Sequence, residues 1–251
     1  MRSRIRFSTV LIATLLACNA VIAQGDNVRR DEKALDILQS MSAHTAKLDK
    51  LVIEGTSFTD ARLPAGLMVS NPTEIKVTID RPGSMHISNF DGHEKKEIYF
   101  HEGRLTVFSS GSNFYGQAEI PEEIEAAAEY ALEELDIEAP MMDLLYRDVP
   151  TQLMSSDDEI VYLTDKSRID GMDCHHIAIR GSEIDLQLWV AEGDRPVLRK
   201  IMMTSKWEGG APRYVAIMRW DTAPRVTEEM FIFKAPEGSI DIGFTRDTNE
   251  Q

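Results

Sequence analysis

Asp173-Cys174-His175-His176 places a carboxylate, a thiol and two imidazoles side by side, the side chains that bind zinc or copper. If the run is a strand, alternation puts Cys174 and His176 on one face and His175 on the other, beside Ile177 and Ile179. At most two neighbouring ligands then converge, and no second paired set stands elsewhere, so the expected role is structural, with no metal and no cofactor. A second group, His86, His93 and His101, lies near Glu94, Glu97 and Glu102. A histidine and a glutamate in contact can move protons near neutral pH. These histidines fall in or near tight turns, however, where polar residues serve the backbone, so they are expected to be solvated.

Nucleophile chemistry has less support. Ser109-Ser110-Gly111-Ser112 lacks the Gly-x-Ser-x-Gly elbow. Cys174 has no arginine or lysine within three residues to depress its pKa. Gly-x-Gly-x-x-Gly, phosphate-loop and His-Glu-x-x-His strings are also missing. The chain reads as a binding protein, not an enzyme, with no catalytic residues.

The elements that would position such side chains follow a simple order. Ala34, Ile37, Leu38, Met41, Thr45 and Leu48 recur at helical spacing and predict an amphipathic helix. From Leu51 the period changes to two: Ile75, Val77 and Ile79 alternate with polar residues before Arg81-Pro82-Gly83, a strand and its stop. Strands are predicted over 85–90, 95–100, 104–108 and 113–119, and short connections make them antiparallel neighbours. Pro121-Glu122-Glu123 opens a second helix carrying Ile124, Ala127, Ala128, Ala131, Leu132 and Leu135. A shorter apolar run, Met141 to Tyr146, predicts another helical turn. Strand signals resume over 159–164, 172–180, 184–190, 197–205, 213–220 and 231–233. In the strand at 184–190, Ile184, Leu186, Leu188 and Val190 share one face and leave Trp189 with Asp185 and Gln187 as a packed outer residue. The economical arrangement is α+β: one large antiparallel sheet with helices on one face.

Composition bounds the compartment and the partners. Arg2, Arg4 and Arg6, then an apolar stretch of roughly 11 residues, then small residues form a secretory signal. That stretch is well short of the ~20 residues a membrane-spanning helix needs. Two processing outcomes compete: cleavage after Ala23, removing a 1–23 signal, or a lipobox ending at Ala17 with Cys18 lipidated. A polar lead, 24–30, and one domain, 31–245, follow. The expected location is the periplasm, with a lipid anchor through Cys18 as the alternative. Cys18 and Cys174 are the only cysteines, so the domain folds on core burial, without an intrachain disulfide. The net charge of −15, more negative still without the leader's arginines, argues against nucleic acid and anionic lipid surfaces.

Several strings carry a resemblance: Arg81-Pro82-Gly83-Ser84-Met85, Tyr99-Phe100-His101-Glu102-Gly103-Arg104-Leu105-Thr106-Val107-Phe108, Ala139-Pro140-Met141-Met142-Asp143-Leu144-Leu145-Tyr146, Ile169-Asp170-Gly171-Met172-Asp173-Cys174-His175-His176, Gln187-Leu188-Trp189-Val190 and Pro196-Val197-Leu198-Arg199-Lys200. Over Leu35 to Phe233 the chain resembles a family of predicted periplasmic proteins of unknown function within the lipoprotein-carrier-like superfamily that includes LolA, LolB and RseB. The resemblance implies a sheet curled into an incomplete barrel, with the N-terminal helix and the helical insertion covering its concave face. It also implies an apolar hollow that accepts acyl chains. The surface positions through which lipoprotein carriers meet their partner proteins are not matched, so a sorting role is not implied.

The expected function is that of a periplasmic carrier for an apolar ligand such as a lipid or lipoprotein acyl chain, without a transmembrane helix after signal removal. The alternative is an envelope protein-interaction or sensor module that transports nothing. Partners are accordingly a lipid, an acylated protein or an envelope protein. The residues expected to line the cavity are Leu38, Met41, Leu132, Leu135, Met141, Met142, Leu144, Leu145, Met203 and Met218. The unbranched thioether of methionine suits ligands of variable shape.

Overall fold

The computed structural model describes residues 30–137, 160–206 and 209–244. The leader, with Cys18, and the apolar run containing Met141, Met142, Leu144 and Leu145 lie outside the described residues.

Helix α1, Glu32–Thr45, begins where the Asp31 carboxylate accepts hydrogen bonds from the backbone N–H groups of Lys33 and Ala34. That satisfies two donors which the first turn would otherwise leave unpaired. Its apolar stripe, Ala34, Leu38 and Met41, is buried. Six strands follow: β1 (Lys50–Arg62), β2 (Met68–Asp80), β3 (Ser84–Phe90), β4 (Lys95–His101), β5 (Arg104–Ser109) and β6 (Phe114–Glu119). After α2, Ile124–Leu135, come β7 (Ile160–Leu163), β8 (Ser167–Ile169), β9 (Met172–Arg180), β10 (Ile184–Ala191), β11 (Leu198–Ser205) and β12 (Arg213–Asp221). A 3-10 turn at Glu228–Met230 and the short β13, Ile240–Asp241, complete the described elements.

The strands form one sheet in the order β13-β6-β5-β4-β3-β2-β1-β12-β11-β10-β9-β7, with β8 paired to β9. β1 to β6 and β9 to β12 are meanders of sequential antiparallel neighbours, β13 and β7 take the two edges, and the join is the pairing of β1 with β12. The sheet is open between its edges at β13 and β7, as expected of a curved α+β sheet that does not close into a barrel. Alternation sends Leu51 and Ile53 of β1, Val77 and Ile79 of β2, and Leu188, Ile201, Ala216 and Met218 of the second meander to one inner face. Ala34, Leu38 and Met41 of α1 and Ile124, Ala127 and Ala131 of α2 belong to the same core. Both helices therefore bury their stripes on that face, and nonlocal burial holds the halves together.

Gly55 permits a close approach at the join. A Cβ there would lie 2.0 Å from the carbonyl oxygen of Ile217 on β12, so the two backbones approach more closely than any side chain permits. At the other end of β2, Arg81-Pro82-Gly83 does more than stop the strand. The Pro82 carbonyl accepts from the Ile124 N–H at 3.0 Å, and a Cβ on Gly83 would collide with the Glu122 carbonyl. This turn is the seat on which α2 starts.

One predicted strand is absent. Residues 231–233, expected to be extended and paired, follow the 3-10 turn without joining the sheet. Phe233 instead packs on Tyr99, Phe108 and Tyr115. Pro224 and Pro236 bracket this stretch and have no N–H to donate to a ladder, so its aromatic rings, not its backbone, attach it. The C-terminal segment thus straps the outer face of β4 to β6 before β13 pairs in parallel with β6.

Candidate functional site

On the inner face of the second meander, successive cross-strand rows differ in cover. Leu188 stands opposite Ile201, and Ile201 opposite Ala216; all three are buried. One row further along the strands, Leu186 stands opposite Met203, and Met203 opposite Tyr214. These three pack against the core yet are only partly buried. Tyr214 adds the one polar handle of the row. Burial pushes its hydroxyl above the usual value, and a hydrogen bond with Ser57 opposes that rise. A neutral phenol on an apolar rim is suited to meet the boundary between a greasy chain and its polar end.

The cavity residues expected from sequence fall into three groups. Leu38, Met41 and Met218 are fully packed in the core. Met203 and Leu135 are partly buried against it. Leu132 is 53% exposed on α2, flanking the stripe of Ala128 and Leu135. Met141, Met142, Leu144 and Leu145 lie outside the described residues. Leu186 and Tyr214 were not singled out from sequence, because alternation shows which face a residue takes but not how well that face is covered.

The Cys174 string divides as alternation predicts. On β9, Cys174 and His176 share the outer face, and His175 points the other way. Cys174 is fully buried, and burial pushes its thiol above the ordinary range, the opposite of an activated nucleophile. His176 stacks on Trp189 at 4.2 Å, with its Nε2 3.0 Å from Gln187 Oε1. The Lys200 ammonium sits 4.3 Å from the centre of the Trp189 ring. This is a packed outer-face stack in which the imidazole and the ammonium cover the indole.

Of the first-meander histidines, only His93 sits in a turn, where its N–H donates to the Asp91 carboxylate. His86 and His101 are strand residues on the outer face. His86 stacks on Tyr99 at 4.2 Å with Nε2 3.4 Å from Glu97. Burial holds His86 below its ordinary value, which Glu97 only partly offsets, and burial beside Glu97 pushes Tyr99 up to about 12. His101 Nδ1 lies 2.8 Å from Ser84 Oγ, while its Nε2 faces Glu228 of the C-terminal strap at 3.6 Å. The approach of Glu228 has no local signal in the sequence.

Residues 34–245 match a family model described as "Predicted periplasmic protein (DUF2092)". No curated protein matches the sequence. Similar solved structures include LprF from Mycobacterium bovis, 13% identical, with 79% of this chain and 97% of that one covered and a TM-score of 0.49. A MucA/MucB complex from Pseudomonas aeruginosa is 15% identical, with 81% and 62% covered and a TM-score of 0.43. The LolA superfamily protein NE2245 from Nitrosomonas europaea is 12% identical, with 80% and 97% covered and a TM-score of 0.38.

Proposed function

The chain belongs to the DUF2092 family of predicted periplasmic proteins, and from that premise we propose that it binds an apolar group, a lipid or the acyl chain of a lipoprotein, between the inner face of its sheet and its helices. The observation that carries this reading is the half-open row Leu186, Met203 and Tyr214, lying directly beside the closed row Leu188, Ile201 and Ala216. A core that ends in a partly covered apolar ledge offers contact area to a greasy chain without needing a charged partner. Adding a methylene to such a contact contributes about 0.8 kcal/mol, so an acyl chain gains affinity with length. Binding starts at the ledge and runs beneath the helical cover, where Leu132 and Leu135 of α2 continue the lining. Leu38, Met41 and Met218 are packed in the core behind that lining.

The test is native mass spectrometry of protein extracted from the periplasm, together with uptake of a fluorescent fatty acid. Retained lipid and saturable uptake are expected. A clean apoprotein that takes up no probe removes the proposal. The same intact-mass measurement separates a chain starting at Gln24 from one lipidated at Cys18.

A second reading, a module that engages an envelope protein and transports nothing, is favoured by the tip of the β1–β2 hairpin. Leu63 and Leu67 there are 42% and 61% exposed at the end of two 13-residue strands. A photo-crosslinking residue at position 67 should capture one discrete protein partner in intact cells. Absence of any crosslinked band discards this reading and leaves the carrier reading untouched.

A further inference from the structure

We propose that His101, Glu102 and Glu228 form a divalent-cation site of the zinc class on the outer face, joining the C-terminal strap to the first meander. His101 ends β4 and Glu102 opens the β4–β5 turn, while Glu228 arrives from the 3-10 turn of the strap. One ligand atom from each residue lies within 4.8 Å of the others, the only such grouping of three among the described residues. One imidazole and two carboxylates, with positions left for water, are a donor set that zinc accepts.

Three features make this more than proximity of charges. First, the His101 ring is already aimed. In the tautomer whose Nδ1–H donates to Ser84 Oγ, 2.8 Å away, the Nε2 lone pair is directed towards Glu228, the outer-shell arrangement that orients metal-binding histidines. Second, Glu102 holds a left-handed backbone, φ 47°, in front of Gly103 at φ 74°, which places its carboxylate at the same corner as the imidazole. Third, a cavity of about 410 Å³ opens beside the three residues, lined also by Tyr99, Arg104, Thr106 and Gln117, with room for the waters that would complete the coordination. The nearest guanidinium in that lining, Arg104, is engaged with Glu119 at 3.0 Å.

A cation here offsets two like charges that the strap brings together, and it fixes a segment held otherwise by Phe231 against His101 and by Phe233 against its three aromatic neighbours. Binding is therefore coupled to docking of the strap.

The experiment is calorimetric titration of Zn²⁺ into chelator-stripped protein, repeated with His101→Ala, Glu228→Gln and His93→Ala. One site per chain is expected, with affinity at least ~10-fold weaker in the first two variants and unchanged in the third. Co²⁺ should give weak visible bands of nitrogen and oxygen coordination without a thiolate charge-transfer band. Glu228 is 71% exposed, so its variant tests the site even if His101→Ala fails to fold. No saturable heat, an affinity undiminished in Glu228→Gln, or a loss confined to His93→Ala overturns the proposal.

Discussion

The Arg81 guanidinium meets the Glu125 carboxylate at 2.6 Å, with the arginine side chain 3% exposed and the glutamate 34%. Arg81 ends the β2 hairpin and Glu125 lies in the first turn of α2, so this pair, with the Pro82 carbonyl accepting from Ile124, fixes where the second helix lies on the sheet. The carboxylate also sits at the positive end of the helix dipole, and the pair orients the helix while its apolar stripe supplies most of the burial energy.

Removing the charge on the glutamate should be more harmful than removing the arginine, because the partner left behind is then the buried one. Breaking a buried pair costs ~3–5 kcal/mol when the survivor has no access to water. Glu125 retains some, so Arg81→Met, which leaves the more exposed partner, is expected to lower unfolding free energy by only about 1 kcal/mol. Glu125→Gln takes the counter-charge from the buried guanidinium, although the amide oxygen still accepts, and should lower it by about 2–3 kcal/mol. Urea melts of the two variants decide the order.

Gly55 carries a sharper expectation. Any Cβ at that position meets the Ile217 carbonyl at 2.0 Å, and a backbone oxygen cannot rotate away as a side chain would. Gly55→Ala should cost at least ~2 kcal/mol and loosen the β1–β12 join, visible as faster amide exchange along both strands. A variant as stable as the parent would mean that the join does not depend on the missing side chain.

Much of this architecture was legible in the sequence, for a local reason. Hairpins announce themselves through period-two patterns and turn residues, so β3 to β6 and β9 to β12 fall within a residue or two of where alternation places them. Pro121-Glu122-Glu123 likewise marks the start of α2. What escaped is nonlocal. The pairing of β1 with β12 brings distant segments into register, and nothing near Leu51 or Trp220 encodes it. Phe231 and Phe233 have strand-like composition but use their rings on the outer face of another hairpin. Glu228 joins His101 only after that strap has docked. For the candidate cavity, alternation grouped Leu186 with Leu188 on one face, and Met203 and Met218 were both expected to line it, yet the difference between buried Met218 and half-open Met203 depends on how far the helices reach.

His86 makes stability depend on pH in a defined direction. Burial lowers its pKa from the ordinary 6.5; Glu97 raises it in part, and Lys95 and Lys76 push it down. The unfolded chain therefore takes up a proton at a pH where the folded protein does not. Such a group contributes stability fully above 6.5 and loses it as pH falls from there through the lower folded value. His86→Phe keeps a ring against Tyr99 and removes the titration, so its melting temperature should fall less than the parent's between roughly pH 7 and 5. His44 is also lowered by burial, with Arg195 and Lys47 adding to it. Both proteins retain that contribution, so it cancels in the comparison. Parallel curves would assign the acid sensitivity elsewhere.

The carrier reading depends most on Met203, because β11 presents it and its neighbour Thr204 to opposite faces. Met203 stands on the half-open ledge between Leu186 and Tyr214, where an entering acyl chain must cross. A carboxylate there would have to give up water for hydrocarbon, a penalty of several kcal/mol, and each 1.4 kcal/mol is about tenfold in affinity. Met203→Glu is therefore expected to weaken fluorescent fatty-acid uptake by at least ~10-fold. Its melting point should change little, since a half-exposed carboxylate can still reach solvent in the empty protein. Thr204→Glu adds the same charge one residue away on the outer face and should leave uptake intact. If both variants lose uptake alike, long-range repulsion of the probe's own carboxylate by an already acidic protein explains the loss, and the ledge is not the entrance. If neither does, the probe binds elsewhere. Only a loss confined to Met203 ties ligand entry to the row where the core of the second meander opens.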